Sequence, residues 1–346
     1  WRCITPAFFQ SNPMNNYYGN AKDVSSAHGR SAILLTNLGT PDRPASSSVR
    51  KYLAEFLSDP RVVEFPRLLW KIILYGGILS FRSPKSSAIY RKVWTDEGSP
   101  LLVGSQQLAK KVASQLGDQH QVFLAMRYGN PSMVDTLRAI HDGGFRKLTV
   151  LPLYPQYSAS TSGSTFDAIA QTYTKQRWLP SFNFVSEYHQ HPLYIETVAN
   201  SIRSHWKTNE RSKLLLFSFH GIPQRYVNNG DPYAKHCETS SRLIAEALGI
   251  DFDEWTLVYQ SRFGREPWLE PYCDEMLKSL PAQDIKNVDI VCPGFSIDCL
   301  ETLQEIDQEN REHFIAHGGE SYSYIPCLND SDEHAKLLCQ LVLVQP

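Results

Sequence analysis

Short apolar runs alternate with amphipathic stretches from one end of this chain to the other. Runs rich in leucine, β-branched and aromatic residues predict strands over residues 32–37, 122–127, 147–153, 183–188, 213–219, 255–260, 289–292 and 322–325. Between them, apolar positions spaced three and four apart predict helices over 133–141, 193–206, 234–248, 269–280 and 302–317. A run such as KLLLFSF is apolar without strict alternation, as expected where both faces of a parallel strand are covered. The alternation predicts βαβ units, hence an α/β protein whose parallel sheets carry helices on both faces. About eight strands suit two sheets of four better than one large sheet. The break at 176–181 (QRWLPS) divides the chain into domains 31–178 and 179–346, with a polar leader before them at 1–30. A last helix, roughly 332–343, can return to pack on the first domain.

One apolar stretch stands outside this scheme. Residues 68–79 (LLWKIILYGGIL), within a longer segment 66–100, are interrupted by Lys71 and a glycine pair. They are too few to span a bilayer, which needs about 20 residues. A buried helix is one reading and an exposed apolar lip over a greasy site is the other. Exposed patches of this size are uncommon, so sequence alone leans to burial.

Composition narrows the function classes. The chain has 346 residues, 42% of them hydrophobic, and a formal net charge of -2, enough for two domains each with its own core. That near-neutral balance argues against a nucleic-acid partner, which calls for a basic face. Seven cysteines (Cys3, Cys237, Cys273, Cys292, Cys299, Cys327 and Cys339) stand singly, with no CxxC pair. The pattern suggests neither a zinc knuckle nor a disulfide framework, and fits a reduced cytoplasmic protein. Residues 1–13 read as an odd leader and Met14 as a natural start. Residues up to about Arg30 are polar and expected to be poorly ordered, and nothing there resembles a secretory signal.

The strand endings hold the most concentrated chemistry: NLGTP, RYGN, LYPQYSASTSGS, SFHGIP, YQSRFG and CPGFSIDCLE. Ligands of open α/β sheets bind beyond the carboxyl ends of strands, so these loops are expected to meet in one cleft between two domains. His220 closes an apolar strand before Gly221 and Pro223 turn the chain; it is either a proton acceptor in the cleft or tied to a loop carbonyl. Asp298 with Glu301 has the spacing of a capping box. Glu301, Glu305 and Glu309 recur every fourth residue, which on a helix makes either an exposed acidic face or a path for a divalent cation. The small residues from Tyr154 to Ser164 lack the lysine of a phosphate loop and the spacing of a dinucleotide site, which disfavours a nucleotide cofactor. Tyr154, Tyr157 and Trp268 offer flat surface for a planar ligand or for the core.

Taken together, LLTNLGTP, PQYSASTSGS, FSFHGIP, NNGDPY, YQSRFG with PWL, and FSIDCLETLQEI resemble the ferrochelatases, in the family's order and over about residues 31–343. The resemblance implies two Rossmann-like (chelatase-type) α/β domains with a porphyrin cleft between them, and an enzyme that inserts ferrous iron into a porphyrin, protoporphyrin IX or coproporphyrin III. It places the family's catalytic histidine on His220 and its glutamate on Glu301, facing each other across the porphyrin, with Glu305, Glu309 and Asp298 completing the metal-side acids. Trp268, Leu38 and Tyr154 match pocket residues. Arg82, Lys85, Tyr90 and Ser99 fall on the propionate side, and Arg127 on a metal-side or ordering arginine. Iron is a substrate here, not a resident cofactor. Two departures stand out: Cys299 replaces a histidine common two residues before the glutamate, and the cysteine-rich tail that holds a [2Fe–2S] cluster in some relatives is missing, so no cluster is expected. The resemblance also implies that 68–79 shields the cleft and can rest on a membrane, at the inner face, while the protein is cytoplasmic and monomeric. Another class II tetrapyrrole chelatase, or a porphyrin carrier without catalysis, are the competing readings.

Overall fold

The computed structural model describes Tyr17 and residues 29–343, so all but Tyr17, Gly29 and Arg30 of the expected leader lies outside the described residues. Strands β1 (Ser31–Thr40), β2 (His120–Gly129), β3 (Lys147–Pro152) and β4 (Ser181–Phe184) form a parallel sheet in the order β2-β1-β3-β4. Strands β5 (Leu214–His220), β6 (Trp255–Gln260), β7 (Asn287–Val291) and β8 (Ser321–Ile325) repeat that order as β6-β5-β7-β8, again all parallel. In each sheet the first strand lies between the next two, so the order reverses beside it. The crevice past its carboxyl end is then the natural ligand site. Those ends are Thr40 and His220. β5 is buried along LLLFSF and only partly exposed at His220, which is why its sequence is apolar without alternation.

The predicted boundary needs correcting. β4 pairs with β3 (Lys147↔Ser181 to Val150↔Phe184), so residues 181–184 belong to the first sheet and the chain changes lobe only after them. The QRWLPS break is the loop leading into that edge strand. The lobes share one continuous core, with Ile33, Leu35 and Leu151 from the first sheet joined to Leu215 and Phe217 from the second. The last helix, α12 (Asp332–Leu343), crosses back to α4 (Pro100–Leu116) of the first lobe. Lys111 pairs with Asp332 at 3.1 Å, and the Cys339 thiol reaches the Val112 carbonyl at 3.8 Å. Leu337, Leu338 and Leu341 are buried along it; each contributes about 1.5–3 kcal/mol by leaving water.

The apolar segment is an exposed lip, against the burial that sequence alone favoured. Helix α2 (Arg67–Ile73), a π-turn (Leu74–Ile78) and helix α3 (Leu79–Val93) run on as one rod, and α2 buries none of its residues. Leu68, Ile72 and Phe81 are 83%, 70% and 75% exposed. Leu74 and Leu79 anchor the rod in the core, and the Trp70 indole donates to the Leu57 carbonyl at 2.6 Å. A mostly apolar helix is buried only where another element reaches it, and the first lobe places this one on its rim.

Two helices also differ from expectation. The third connection of the second sheet, from β7 to β8, is a ten-residue π-helix, Glu301–Asn310, continued by α11 (Arg311–Ala316). The predicted start at 269 is loop, and α10 is Cys273–Ser279.

Candidate active site

His220 ends β5 in register with Gln260 at the end of β6. The Gly221 amide donates to the Gln260 carbonyl at 2.8 Å, and a Cβ at Gly221 would meet that carbonyl at 3.1 Å and the Trp268 ring at 3.2 Å. Glycine is what lets the turn pass this close. The turn also sets the imidazole tautomer. His220 Nδ1 lies 2.6 Å from the Gly221 carbonyl, which can only accept, so Nδ1 carries a hydrogen and, in the neutral ring, Nε2 is the nitrogen with the lone pair. Both sequence readings of His220 are therefore realised at once: the tie to a carbonyl is what frees the other nitrogen. The Trp268 ring lies 6.5 Å from the His220 ring and 4.9 Å from Phe263, and its buried indole N–H has no acceptor among the described residues.

Glu301 opens the π-helix. The Gln260 side chain, beside His220, donates to the Glu301 carbonyl at 3.4 Å. One turn on, Glu305 is held by Ser261, whose amide donates to Oε1 at 2.7 Å and whose hydroxyl donates to Oε2. Ser261 adopts a φ of 67°, a left-handed conformation that costs a non-glycine residue about 1 kcal/mol or more and aims both donors at this carboxylate. Burial raises the Glu305 pKa, outweighing the Ser261 hydrogen bonds and the pull of His220, and Glu301 raises it further. Glu305 thus lies within electrostatic reach of both His220 and Glu301. Glu309 lies at the exposed outer end of the same ridge, near Gln304.

Asp298 does not join them. Its carboxylate accepts from Thr302 (2.9 Å), Tyr324 (2.5 Å) and Asn329 (2.7 Å), and is buried. The expected metal role is corrected: those donors use its lone pairs to tie the π-helix start to the end of β8. No capping box forms there.

The first lobe supplies a phenolic wall. Burial pushes Tyr90 of α3 well above the usual phenol range, followed by the charge of Glu301 and by Cys299; burial, then Tyr90 and Glu301, do the same to Tyr52 of α1 (Ser46–Leu57). Both stay neutral beside the carboxylate. Tyr52 escaped the sequence reading, since it sits in an ordinary amphipathic helix with no motif. Leu38 and Leu300 pack against the same cluster, and Tyr154, partly buried, faces Tyr128, Arg127 and Cys299. Burial and Glu301 push the Cys299 thiol far up, so it stays a neutral thiol.

Arg82 sits on the exposed face of α3 with its guanidinium 5.6 Å over Phe263 of the opposite lobe, and Lys85 is exposed on the same helix. Ser99 is buried at the head of α4. Arg127 is not free for substrate through Nε or Nη2: Nε donates to the Ser164 hydroxyl at 2.7 Å and Nη2 pairs with buried Asp59, contacts that serve the ordering role among its expected ones rather than substrate binding.

Two parallel sheets with an imidazole and a carboxylate ridge gathered at the crevice between them match a known architecture. The fold is similar to CbiX, described as the terminal enzyme for biosynthesis of siroheme in denitrifying bacteria (TM-score 0.51, 12% identity, 90% of this chain and 98% of that one). It is equally similar to the sirohydrochlorin chelatase SirB from Bacillus subtilis subspecies spizizenii, solved with cobalt (TM-score 0.52, 10% identity, 90% and 95%). The architecture is that of the class II chelatases. The ferrochelatase family model matches residues 30–345. The ferrochelatase of Marinobacter nauticus is 51% identical over 335 residues, covering 96% of this chain and 89% of its own. Ferrochelatase 2 of Shewanella oneidensis is 52% identical over 320 residues, covering 92% and 98%. This chain belongs to the ferrochelatase family, the lyases that insert iron into a porphyrin.

Proposed function

We propose that this chain inserts Fe²⁺ into protoporphyrin IX, with His220 taking pyrrole protons and the Glu301–Glu305–Glu309 ridge passing the metal inward. The observation that carries the reading is the His220 imidazole, tied through Nδ1 to the Gly221 carbonyl so that Nε2 is the nitrogen left for substrate, close enough to Glu305 to act on it electrostatically, as Glu301 does. Two N–H protons must leave the porphyrin as one Fe²⁺ enters, so a base and a metal donor must both reach the ring centre. His220 Nε2 supplies the base. The carboxylates supply oxygen ligands that hold iron loosely enough to release it to nitrogen.

A flat macrocycle hides its nitrogen lone pairs, and contacts remote from the centre must bend it. Trp268, Tyr90, Leu38 and Tyr154 are the wall against which that happens, and Arg82 with Lys85 at the mouth attract the propionates. In this scheme the iron is a substrate. The exposed apolar lip favours the greasier protoporphyrin IX over the tetra-acidic coproporphyrin III. Incubation with Fe²⁺ and each porphyrin under anaerobic conditions, with Zn²⁺ in parallel, tests this by absorbance. Haem formation with a higher kcat/KM for protoporphyrin IX supports it; no metallation of either porphyrin sinks the enzyme reading, and preference for coproporphyrin III sinks the substrate assignment.

The lip also supports peripheral contact with the inner face of a membrane by a monomer that is otherwise cytoplasmic. No helix among the described residues is long and apolar enough to cross a bilayer. Leu68 and Ile72, the most exposed residues of α2, are the ones to change, whereas Trp70 is held to Leu57. Inserting each side chain is worth about 1.5–3 kcal/mol, so Leu68→Glu/Ile72→Glu weakens co-flotation with phospholipid vesicles by tenfold or more. Equal flotation of parent and variant rejects the contact.

A further inference from the structure

Away from the carboxylate ridge, Glu187 and His189 lie on the segment that leaves β4 for α7 (Pro192–Thr208), and His236 lies in the first turn of α9 (Tyr233–Leu248). The two imidazoles are stacked, with ring centroids 3.7 Å apart and planes within 7°. Both aim Nδ1 at the same oxygen, Glu187 Oε2: His189 Nδ1 is in direct contact and His236 Nδ1 is 3.5 Å away. One donor atom from each residue falls within 4.8 Å of the others, and His189 is buried.

The hydrogens of this cluster do not account for its geometry. His189 Nδ1–H can donate to the carboxylate. His236 Nδ1, however, accepts from the Tyr157 amide at 3.2 Å, so in the neutral ring it carries a lone pair and no hydrogen. A second acceptor, Glu187 Oε2, faces it at 3.5 Å in half-buried surroundings. Two acceptors turned toward each other repel unless a cation lies between them. A proton meets that need poorly, because a charged His236 would stack on another imidazole away from water.

We propose that Glu187, His189 and His236 form a second metal site, selective for a borderline first-row divalent ion such as Fe²⁺, Co²⁺ or Zn²⁺. Two imidazoles and one carboxylate are the donor set such ions prefer, whereas Mg²⁺ and Ca²⁺ favour all-oxygen sites. The ion takes the His236 lone pair that the Tyr157 amide now uses, and His189 binds through Nδ1 as the tautomer with its hydrogen on Nε2, so loading releases the Tyr157 contact on the loop that follows Tyr154. The site shares no residue with the ridge from Glu301 to Glu309 and is independent of the proton-transfer reading for His220.

The test uses the full chain, stripped of metal by a chelator, in a Glu301→Gln/Glu305→Gln background that removes the inner carboxylates of the substrate route. Titration with Co²⁺, followed by visible ligand-field bands and calorimetry, should reveal one bound ion with imidazole-type bands. Adding His189→Ala or His236→Gln should abolish those bands and weaken binding at least tenfold. Gln at 236 keeps an acceptor for the Tyr157 amide, and circular dichroism verifies folding; if His189→Ala unfolds, His236→Gln decides. A background that binds no Co²⁺, or histidine variants that bind it with unchanged affinity and spectrum, overturn the proposal. Neither result depends on whether the parent protein makes haem.

Discussion

His220→Ala is expected to slow Fe²⁺ insertion about 10²–10⁴-fold, the range a positioned general base supplies, while porphyrin affinity, read by quenching of protein fluorescence, changes only a few-fold. The split follows from where the imidazole sits. It closes β5 at the crevice, donates from Nδ1 to the Gly221 carbonyl, and contributes little apolar surface compared with Trp268 and the tyrosine wall. Losing it removes a proton acceptor and leaves the platform that holds the ring. Added imidazole should restore part of the rate to the alanine variant, because a free base can enter the space of the missing side chain. A variant that metallates porphyrin at the parental rate ends the assignment of His220 as the base. One that loses rate and porphyrin affinity in equal proportion shows a binding role instead.

Arg127→Met is expected to destabilise the protein by about 3 kcal/mol, at the lower end of what breaking one side of a buried ion pair costs. Asp59 is the reason. Its side chain is 3% exposed and accepts from Arg127, from the Tyr128 hydroxyl at 2.8 Å, from the Ser164 hydroxyl at 2.6 Å and from the Arg61 amide at 2.8 Å. Methionine fills the volume and removes the charge, leaving a buried carboxylate with three neutral donors. Burial alone would raise the Asp59 pKa, yet the Ser164 and Arg61 hydrogen bonds and the Arg127 charge together bring it below the ordinary aspartate value. A depressed carboxylate pKa gives stability that is present above the unfolded-state value of about 4 and is lost as pH falls through the lower folded-state value. In the variant that pKa moves up, so acid unfolding begins at a higher pH than in the parent. Urea unfolding at neutral pH and an acid titration monitored by circular dichroism measure both effects. An unchanged urea midpoint would show that Asp59 is satisfied without the guanidinium, and the ordering role given to Arg127 would fall.

Much of the scaffold is legible in the residues. The strand predicted over 255–260 coincides with β6, and most of the others differ from the observed strands by a few residues at their ends. That agreement has a physical cause: a parallel strand buried on both faces must be apolar throughout, and a crossover helix must be amphipathic, so each element leaves its own period in the sequence. The ridge was legible too, since glutamates at every fourth position share a face in an α-helix and nearly so in a π-helix. The π-winding itself was not, because the same spacing satisfies both. Asp298 was misread for a related reason. Its distance from Glu301 suggests a cap or a ligand, and nothing local reveals Tyr324 and Asn329, which arrive from the end of the next strand to take its oxygens.

The sequence by itself determined the class of fold, the two-sheet count, the strand endings that bear His220 and Glu301, and the family to which the chain belongs. Only the tertiary structure decided which nitrogen of His220 is free, that α2 lies exposed on the rim, that β4 belongs to the first sheet, and that His189 and His236 stack over one carboxylate. The division follows the range of the forces. Secondary structure and its apolar faces arise from interactions a few residues apart, which a linear pattern records. Tautomer, exposure and metal-ligand convergence depend on groups tens of residues apart in the chain and a few ångströms apart in space, and these are fixed only when the core closes.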